Sequence, residues 1–283
     1  MHRHSFQSFF RRLFKTSTAS APLLSTLLLS ALGFLLLPSI ANAGDIVERK
    51  VAFANDLGSA VIYSNNKQKK PTAAIIVVHE WWGLNDYARN RAKMLAEQGY
   101  TAIAVDMYGN GAVAAHPKDA KAFMNAAFAE PEKMTARFNA AKDELLKLRN
   151  VDKNRLFAIG YCFGGAVVLN QARAGADLYG IASFHGSLGT ETPAQQGQVK
   201  AKLLVATGGA DPMVPADQVG GFVTEMSNAG VELNLLSFPT AKHSFTNPDS
   251  TKAGKQFDMP LAYDKHADEV SWEALEEFIE ESE

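Results

Sequence analysis

The stretch Gly160-Tyr161-Cys162-Phe163-Gly164-Gly165 decides the fold. It follows a strand-like run at 155–159 and precedes a helix-like run at 166–172. A sharp strand-to-helix turn of this kind, a nucleophile elbow, strains its central residue and requires very small residues two positions before and after it. The glycines around Cys162 meet that requirement. The alternative is a glycine-rich turn around an inert thiol, because free cysteines are commonly buried.

The elbow also predicts the chemical environment of Cys162. The thiol would lie at a helix N-terminus, where partial positive charge favours a thiolate. The backbone N–H of Phe163, the next residue, would point toward an oxyanion formed at the substrate. Cys162 is the only cysteine of the chain. It therefore has no internal disulfide partner and needs another reason to be present.

Residues 1–43 have the layout of a secretory signal peptide that is removed after Ala43. They contain no acidic residue, carry early basic residues, run apolar from 22 to 40 and end in Ala41-Asn42-Ala43. The pair Arg11-Arg12 suggests twin-arginine export to the periplasm. The alternatives are an uncleaved membrane anchor, because the apolar run is nearly long enough to span a bilayer, and an organellar transit peptide.

The predicted mature chain, 44–283, has the size of one domain. Loss of the four basic residues of the leader changes 28 basic against 30 acidic residues into 24 against 30, so the net charge goes from −2 to −6. A mildly acidic chain of this kind is a poor candidate for binding nucleic acid. We find no metal-ligand spacing and no phosphate-binding glycine motif, so no metal or other cofactor is expected. A monomer is expected.

Strands and helices alternate along the predicted mature chain. The continuous apolar run 73–78 is typical of a strand buried on both faces of a parallel sheet. Further strands are predicted at 101–105, 155–159, 179–184, 202–206 and 232–238. Helices are predicted from Asn85 or Asp86 to Gly99 and at 117–129, 131–149, 166–172, 216–229 and 271–283. This order predicts a three-layer α/β fold with a mostly parallel central sheet and its chemistry at the carboxyl ends of the strands.

A catalytic cysteine needs a base and a group that orients the base. Asp211 and His243 each follow a predicted strand, and the order Cys162, Asp211, His243 is that of α/β-hydrolase triads. Taken singly, Asp211 could be a turn former before a proline and His243 a solvated loop residue. Three other histidines fit the order less well: His116, His185 and His266. The joint placement of the three residues favours a triad.

From about residue 73 onward the chain resembles the dienelactone hydrolases, a branch of the α/β-hydrolase fold with a cysteine nucleophile. The resemblance rests on five motifs in order: His79-Glu80-Trp81-Trp82-Gly83-Leu84-Asn85, Val105-Asp106-Met107-Tyr108-Gly109, the elbow, Gly208-Gly209-Ala210-Asp211-Pro212 and His243-Ser244-Phe245. It implies a cofactor-free enzyme that acts on a small-molecule ester or lactone.

The resemblance also implies further site residues. Glu80 would control ionisation of the thiol, whereas the structural alternative is that it pairs with Arg89 or Arg91. The N–H of Trp81 would be the second oxyanion donor beside that of Phe163. Three further side chains are expected to line the substrate pocket: Trp82, Ser244 and Asn247.

The sequence departs from the family at the residues that hold a substrate carboxylate. One of the family's carboxylate-binding arginines lies four residues after the histidine, where this chain has Asn247. The stretch 107–136 contains no arginine, which leaves Lys118, Lys121 and Lys133 as the candidate cations. A carboxylated dienelactone is therefore doubtful as the substrate, because an amide cannot supply a bidentate cationic fork.

The sequence thus predicts an exported hydrolase of carboxylic esters or lactones that works through a thioester acyl-enzyme. Two alternatives stay open. One is a non-catalytic exported small-molecule binding protein on the same fold, which the loss of an arginine at position 247 favours. The other is a thioesterase or peptidase of that fold.

Overall fold

The computed structural model describes residues 45–282, so the predicted signal peptide lies outside the described residues. One eight-stranded sheet has the order β1-β2-β4-β3-β5-β6-β7-β8. Its strands are β1 Ile46–Ala52, β2 Ser59–Asn65, β3 Thr72–Val78, β4 Thr101–Val105, β5 Val151–Tyr161, β6 Gly180–Phe184, β7 Lys202–Gly208 and β8 Leu233–Phe238. In this sheet β2 alone runs opposite to the other seven strands, so the predicted mostly parallel sheet is confirmed.

The helices are α1 Asp86–Glu97, α2 Pro117–Phe128, α3 Pro131–Leu146, α4 Phe163–Arg173, α5 Ala216–Ala229, α6 Ser250–Phe257 and α7 Lys265–Glu280. Two hydrophobic cores lie on opposite faces of the sheet. Along β3, Ala74, Ile76 and Val78 enter the core beneath α3, α4 and α5. The intervening residues enter the core beneath α1 and α7. Successive side chains of β3 point to opposite faces of the sheet, so this strand contributes to both cores. The sheet and the helices on its two faces form the three layers.

Several element ends follow local signals that were predicted. The Asn85 side chain accepts from the N–H of Ala88 and so caps α1, and Gly99, with φ of +97°, follows the end of that helix. Prolines open α2 and α3. Within 45–282, no helix is both long and apolar enough to cross a membrane.

Helices α3, α6 and α7 differ from the prediction, the last two in the C-terminal part. Helix α7 begins at Lys265 rather than at Ser271, because Asp264 caps it by accepting from the N–H of Ala267 and the polar first turns obscure the apolar period. The short helix α6 was not predicted. Helix α3 ends at Leu146, three residues before the predicted end at Arg149.

Candidate active site

The elbow joins the carboxyl end of β5 to α4. Cys162 lies between them with φ of +52° and ψ of −112°, a strained backbone for a residue other than glycine. A methyl group on Gly160 would overlap the carbonyl of Gly164, and one on Gly164 would overlap the carbonyl of Val78. Both glycines are therefore required by the close approach of backbone to backbone, which is the packing that the motif predicts.

The structure brings Cys162, Asp211 and His243 together at the carboxyl edge of the sheet. Nε2 of His243 lies 3.0 Å from the Cys162 sulfur, and Nδ1 lies 2.7 Å from Oδ2 of Asp211. The other oxygen of Asp211 accepts from the N–H of Met213 at 2.8 Å, which fixes the carboxylate. Asp211 and His243 are buried, whereas Cys162 is half-buried and borders a cavity. This arrangement can deprotonate a thiol and hold the resulting imidazolium.

Electrostatics favour the charged form of His243. Burial opposes its protonation, but the negative charge of Cys162 and the hydrogen bonds to Asp211 and Cys162 outweigh burial, so the pKa of His243 lies well above its usual value. The ring therefore keeps a proton readily when the sulfur is a thiolate. An ion pair of this kind is what a cysteine nucleophile requires.

The predicted oxyanion donors lie on two segments that border the cavity, the loop after β3 and the start of α4. Phe163 is the first residue of α4, so its N–H has no partner in that helix. Neither this N–H nor that of Trp81 donates a hydrogen bond to another described residue. The N–H of Gly164 donates to the carbonyl of His79 at 3.1 Å, which docks the start of α4 against the loop that carries Trp81.

Glu80 has neither of its predicted partners. Among the described residues its carboxylate accepts from the hydroxyl of Ser244 and from the amide of Asn247, the latter at 2.6 Å, and it bonds to neither Cys162 nor an arginine. Arg91 pairs instead with Asp268. Burial raises the pKa of Glu80 above its usual value, against the effect of these two hydrogen bonds. Glu80 therefore ties the Trp81 loop to the loop that carries His243.

A cavity of about 390 Å³ opens beside Cys162. Its lining is mostly apolar: Trp81, Met124, Phe128, Phe163, Ala166, Met213, Val214 and Leu261, with Asn170, Ser187, Gly189 and His243. Phe128 and Met213 are more than a third exposed. Large apolar side chains exposed next to a cavity are typical of a binding site.

This lining corrects the predicted substrate pocket. Ser244 and Asn247 are buried and hold Glu80, and Trp82 packs against Trp81 and Phe257. None of the three predicted side chains lines the cavity. The candidate lysines at 118, 121 and 133 are exposed and do not line it either. The lining contains no lysine or arginine, so the cavity offers no fixed cation for a substrate carboxylate.

Sequence reasoning missed a polar network behind the nucleophile. The N–H of Cys162 donates to Nδ1 of His185 at 3.2 Å, and Nε2 of that ring lies 2.7 Å from the hydroxyl of Thr246. The Thr246 hydroxyl in turn lies 2.6 Å from that of Tyr87. Burial, followed by the nearby charges of His243 and Arg91, holds the pKa of His185 well below its usual value, so the ring is neutral. The position of His185 after β6 was the only signal in the sequence.

Three residues of this site have a strained backbone conformation. Cys162, His185 and Ser244 have φ of +52°, +42° and +60°. Strained residues persist only where the surrounding structure determines them, and such residues cluster at functional sites. No group of three or more His, Cys, Asp or Glu side chains that could hold a metal ion occurs within 45–282.

The sheet order, the elbow and the hydrogen-bonded Cys162, His243 and Asp211 define an enzyme of the α/β-hydrolase class. A family model described as "Dienelactone hydrolase family" matches residues 59–282. The chain belongs to the dienelactone hydrolase family, and it is a hydrolase of lactones or esters.

Individual relatives agree with this assignment. A carboxymethylenebutenolidase of Pseudomonas putida is 27% identical over 189 residues, which cover 65% of this chain and 79% of that protein. A solved structure called m3DLH is 32% identical with a TM-score of 0.78 and covers 84% of this chain and 99% of its own. A dienelactone hydrolase-like promiscuous phosphotriesterase from metagenomic libraries is 31% identical with a TM-score of 0.76 and has the same coverage.

Proposed function

We propose that this protein hydrolyses uncharged carboxylic esters or lactones with Cys162 as the nucleophile. The observation that carries the proposal is the continuous hydrogen-bonded chain from Asp211 through His243 to Cys162, at an elbow that opens on a mostly apolar cavity. In this proposal Asp211 orients His243, and His243 helps to form and hold the thiolate.

The first half of the reaction transfers the acyl group. The Cys162 thiolate attacks the ester carbonyl, and the negative charge that develops on its oxygen is held by the N–H groups of Phe163 and Trp81. The tetrahedral intermediate collapses as the bond to the alcohol oxygen breaks. The His243 imidazolium gives its proton to that oxygen, which leaves a thioester on Cys162.

The second half restores the enzyme. Neutral His243 takes a proton from a water molecule, and the resulting hydroxide attacks the thioester carbonyl. The same two N–H groups hold the second oxyanion. The carbon–sulfur bond breaks, the acid leaves, and Cys162 returns as a thiolate beside the His243 imidazolium. A lactone follows the same steps, except that its alcohol stays attached to the acyl group throughout, so the product is a single hydroxy acid.

The substrate is proposed to be uncharged near its carbonyl because of what the cavity lacks. No lysine or arginine lines it. Asn247, at the position of the family's arginine, donates its amide to Glu80 and is occupied there. A carboxylate placed in this cavity would lose its hydration, and the only basic side chain in the lining, His243, is already bonded to Asp211 and Cys162, so the transfer is costly.

We expect 4-nitrophenyl butanoate to be cleaved with a kcat/KM at least about tenfold higher than the 4-nitrophenyl monoester of succinate, which adds one carboxylate to a similar chain. The measurement is release of nitrophenol by the purified protein, with butyrolactone, a thioester and a phosphotriester in the same panel. Equal rates for the two nitrophenyl esters would contradict the uncharged substrate. No turnover of any ester or lactone would instead favour the non-catalytic binding protein.

A further inference from the structure

A second, larger cavity adjoins the one beside Cys162. Its volume is about 1120 Å³, and it shares Phe128, Asn170 and Gly189 with the smaller cavity. It lies along the start of α3, the outer side of α4 and the loop that follows β6. A substrate whose carbonyl lies at Cys162 can therefore extend past Phe128 from one cavity into the other.

The two cavities differ in chemistry. The smaller one is mostly apolar, whereas hydroxyl and amide side chains line much of the larger one, among them Asn170, Thr190, Thr192, Gln195 and Gln198. Thr192, Gln195 and Gln198 are exposed. Each amide offers both a donor and an acceptor, and so does each hydroxyl. Such a surface matches a ligand that also carries many hydroxyl groups.

The larger cavity offers no free cation. Arg173 lines it, but this side chain is buried, makes a bidentate pair with Glu225 at 2.8 Å for each bond and donates to the carbonyl of Leu188. Its charge is therefore already compensated. Glu191 is exposed and forms no ion pair with another described residue. A cavity lined by a compensated arginine and an exposed glutamate disfavours an anionic ligand.

We infer that the larger cavity is a subsite for a neutral, hydroxyl-rich alcohol group, such as a sugar or a related polyol, esterified to a short apolar acyl group in the smaller cavity. The inference rests on the proposed function and names its substrate class. The alcohol is assigned to the larger cavity because the apolar cavity suits the acyl chain. Hydrogen bonds to the hydroxyls supply the specificity.

The test compares 6-O-butanoyl glucose with hexyl butanoate, which has the same acyl group and an apolar alcohol of similar length. We expect the wild-type kcat/KM to be at least about tenfold higher for the sugar ester. Thr192→Val and Gln195→Met remove hydrogen-bonding groups with little change in shape. Each is expected to lower kcat/KM for the sugar ester about threefold to tenfold and not to lower it for hexyl butanoate, whose alkyl group forms no hydrogen bonds there.

Asn66→Leu is the matched control, because Asn66 follows β2, which lies next to the edge strand β1, and lines neither cavity. It should change neither rate. Equal kcat/KM for the two esters would overturn the subsite, and so would unchanged sugar-ester rates in both variants. In either case, turnover of hexyl butanoate would still support the proposed function. Preference for methyl gluconate, whose hydroxyls lie on the acid, would also overturn the subsite. If no ester were turned over at all, the result would contradict the proposed function itself.

An independent observation concerns the backbone around Trp81. The peptide that carries the Trp81 N–H has the carbonyl of Glu80 at its other end, and Nδ1 of His79 donates to that carbonyl at 2.5 Å. Nε2 of His79 accepts from the N–H of Met107 at 3.2 Å, so the ring is held from both sides. Burial keeps the pKa of His79 below its usual value, consistent with a neutral ring that donates at one nitrogen and accepts at the other.

The next peptide is held as well. The hydroxyl of Tyr108 donates to the carbonyl of Trp81 at 2.7 Å. The rings of Tyr108 and Phe163 pack against His79, with centroids 4.9 and 5.7 Å away. We propose that His79 and Tyr108 are positioning residues for the oxyanion hole. Their hydrogen bonds fix both peptides that flank Trp81.

Tyr108→Phe removes one of these hydrogen bonds and keeps the ring. We expect kcat to fall about threefold to tenfold with KM nearly unchanged, because a misplaced donor weakens the transition state more than the bound substrate. His79→Leu should lower kcat about tenfold to a hundredfold. Tyr179→Phe, at the amino end of β6, is the control and should match the wild type. Unchanged kcat in Tyr108→Phe would refute the positioning role. A rise in KM by as large a factor as the fall in kcat would refute it as well.

Discussion

Cys162→Ala should lower kcat/KM for 4-nitrophenyl butanoate by about 10⁴-fold or more. The substitution removes the only atom that the proposal allows to attack the carbonyl and leaves the oxyanion donors and the cavity in place. Alanine has no greater difficulty than cysteine with the positive φ at this position, and Cys162 is only half-buried. The melting temperature should therefore stay close to that of the wild type.

Cys162→Ser adds a second measure of the same effect. It keeps a nucleophilic atom of similar position, but a hydroxyl is far less acidic than a thiol, so most of the activity should still be lost. A Cys162→Ala protein that is folded and retains a tenth or more of the wild-type rate would show that the reaction does not need the sulfur.

Asp211→Asn should lower kcat by about 10³- to 10⁴-fold, as expected where a triad carboxylate sets the tautomer of its histidine. The N–H of Met213 already donates to one oxygen of Asp211, so the amide oxygen of an asparagine would take that place. Its NH₂ group would then face Nδ1 of His243. The ring would have to accept there and carry its proton on Nε2, from which it cannot take the proton of Cys162.

The same substitution changes the titration of His243. The hydrogen bond and the charge of Asp211 both raise the pKa of His243, so their loss lowers it, and the ring loses its proton at a lower pH than in the wild type. The measurement is the pH dependence of the ring nitrogens by NMR, together with kcat. Asp217→Asn is the control, because Asp217 is exposed in the first turn of α5. An unshifted titration with kcat unchanged would contradict the role of Asp211.

Local patterns predicted the parts of the site that depend on strand ends. Gly160, Cys162 and Gly164 form a motif whose geometry is fixed over a few residues, and Asp211 and His243 follow the parallel strands β7 and β8 in a known order. Parallel strands bring their carboxyl ends to one edge, so sequence order alone placed these side chains together.

Long-range packing determined what could not be predicted. The partners of Glu80 lie more than 160 residues away, and its motif gave no sign that Ser244 and Asn247 would bind it. Phe128 and Leu261 border the cavity only because α2 and the segment after α6 fold over the sheet edge. His185 could be placed at the end of a strand, but not against Thr246, 61 residues later.

The structure also changes the explanation for Asn247. In the sequence, Asn247 stands where the family has an arginine, which gave a reason to suspect that hydrolase activity had been lost. In the structure its amide binds the buried carboxylate of Glu80, and it helps to hold the loop that carries His243 against the Trp81 loop. Loss of the arginine is therefore compatible with an intact site that accepts uncharged substrates.

The central claim is that the acyl group passes through a thioester on Cys162. The direct measurement is the intact mass of the protein, quenched in acid within milliseconds of mixing with excess 4-nitrophenyl butanoate, followed by peptide mapping. We predict one added butanoyl group on the peptide that contains Cys162, together with a burst of nitrophenol of about one equivalent. Full turnover with a burst-free time course, no adduct at any quench time, or an adduct on another residue would contradict the account.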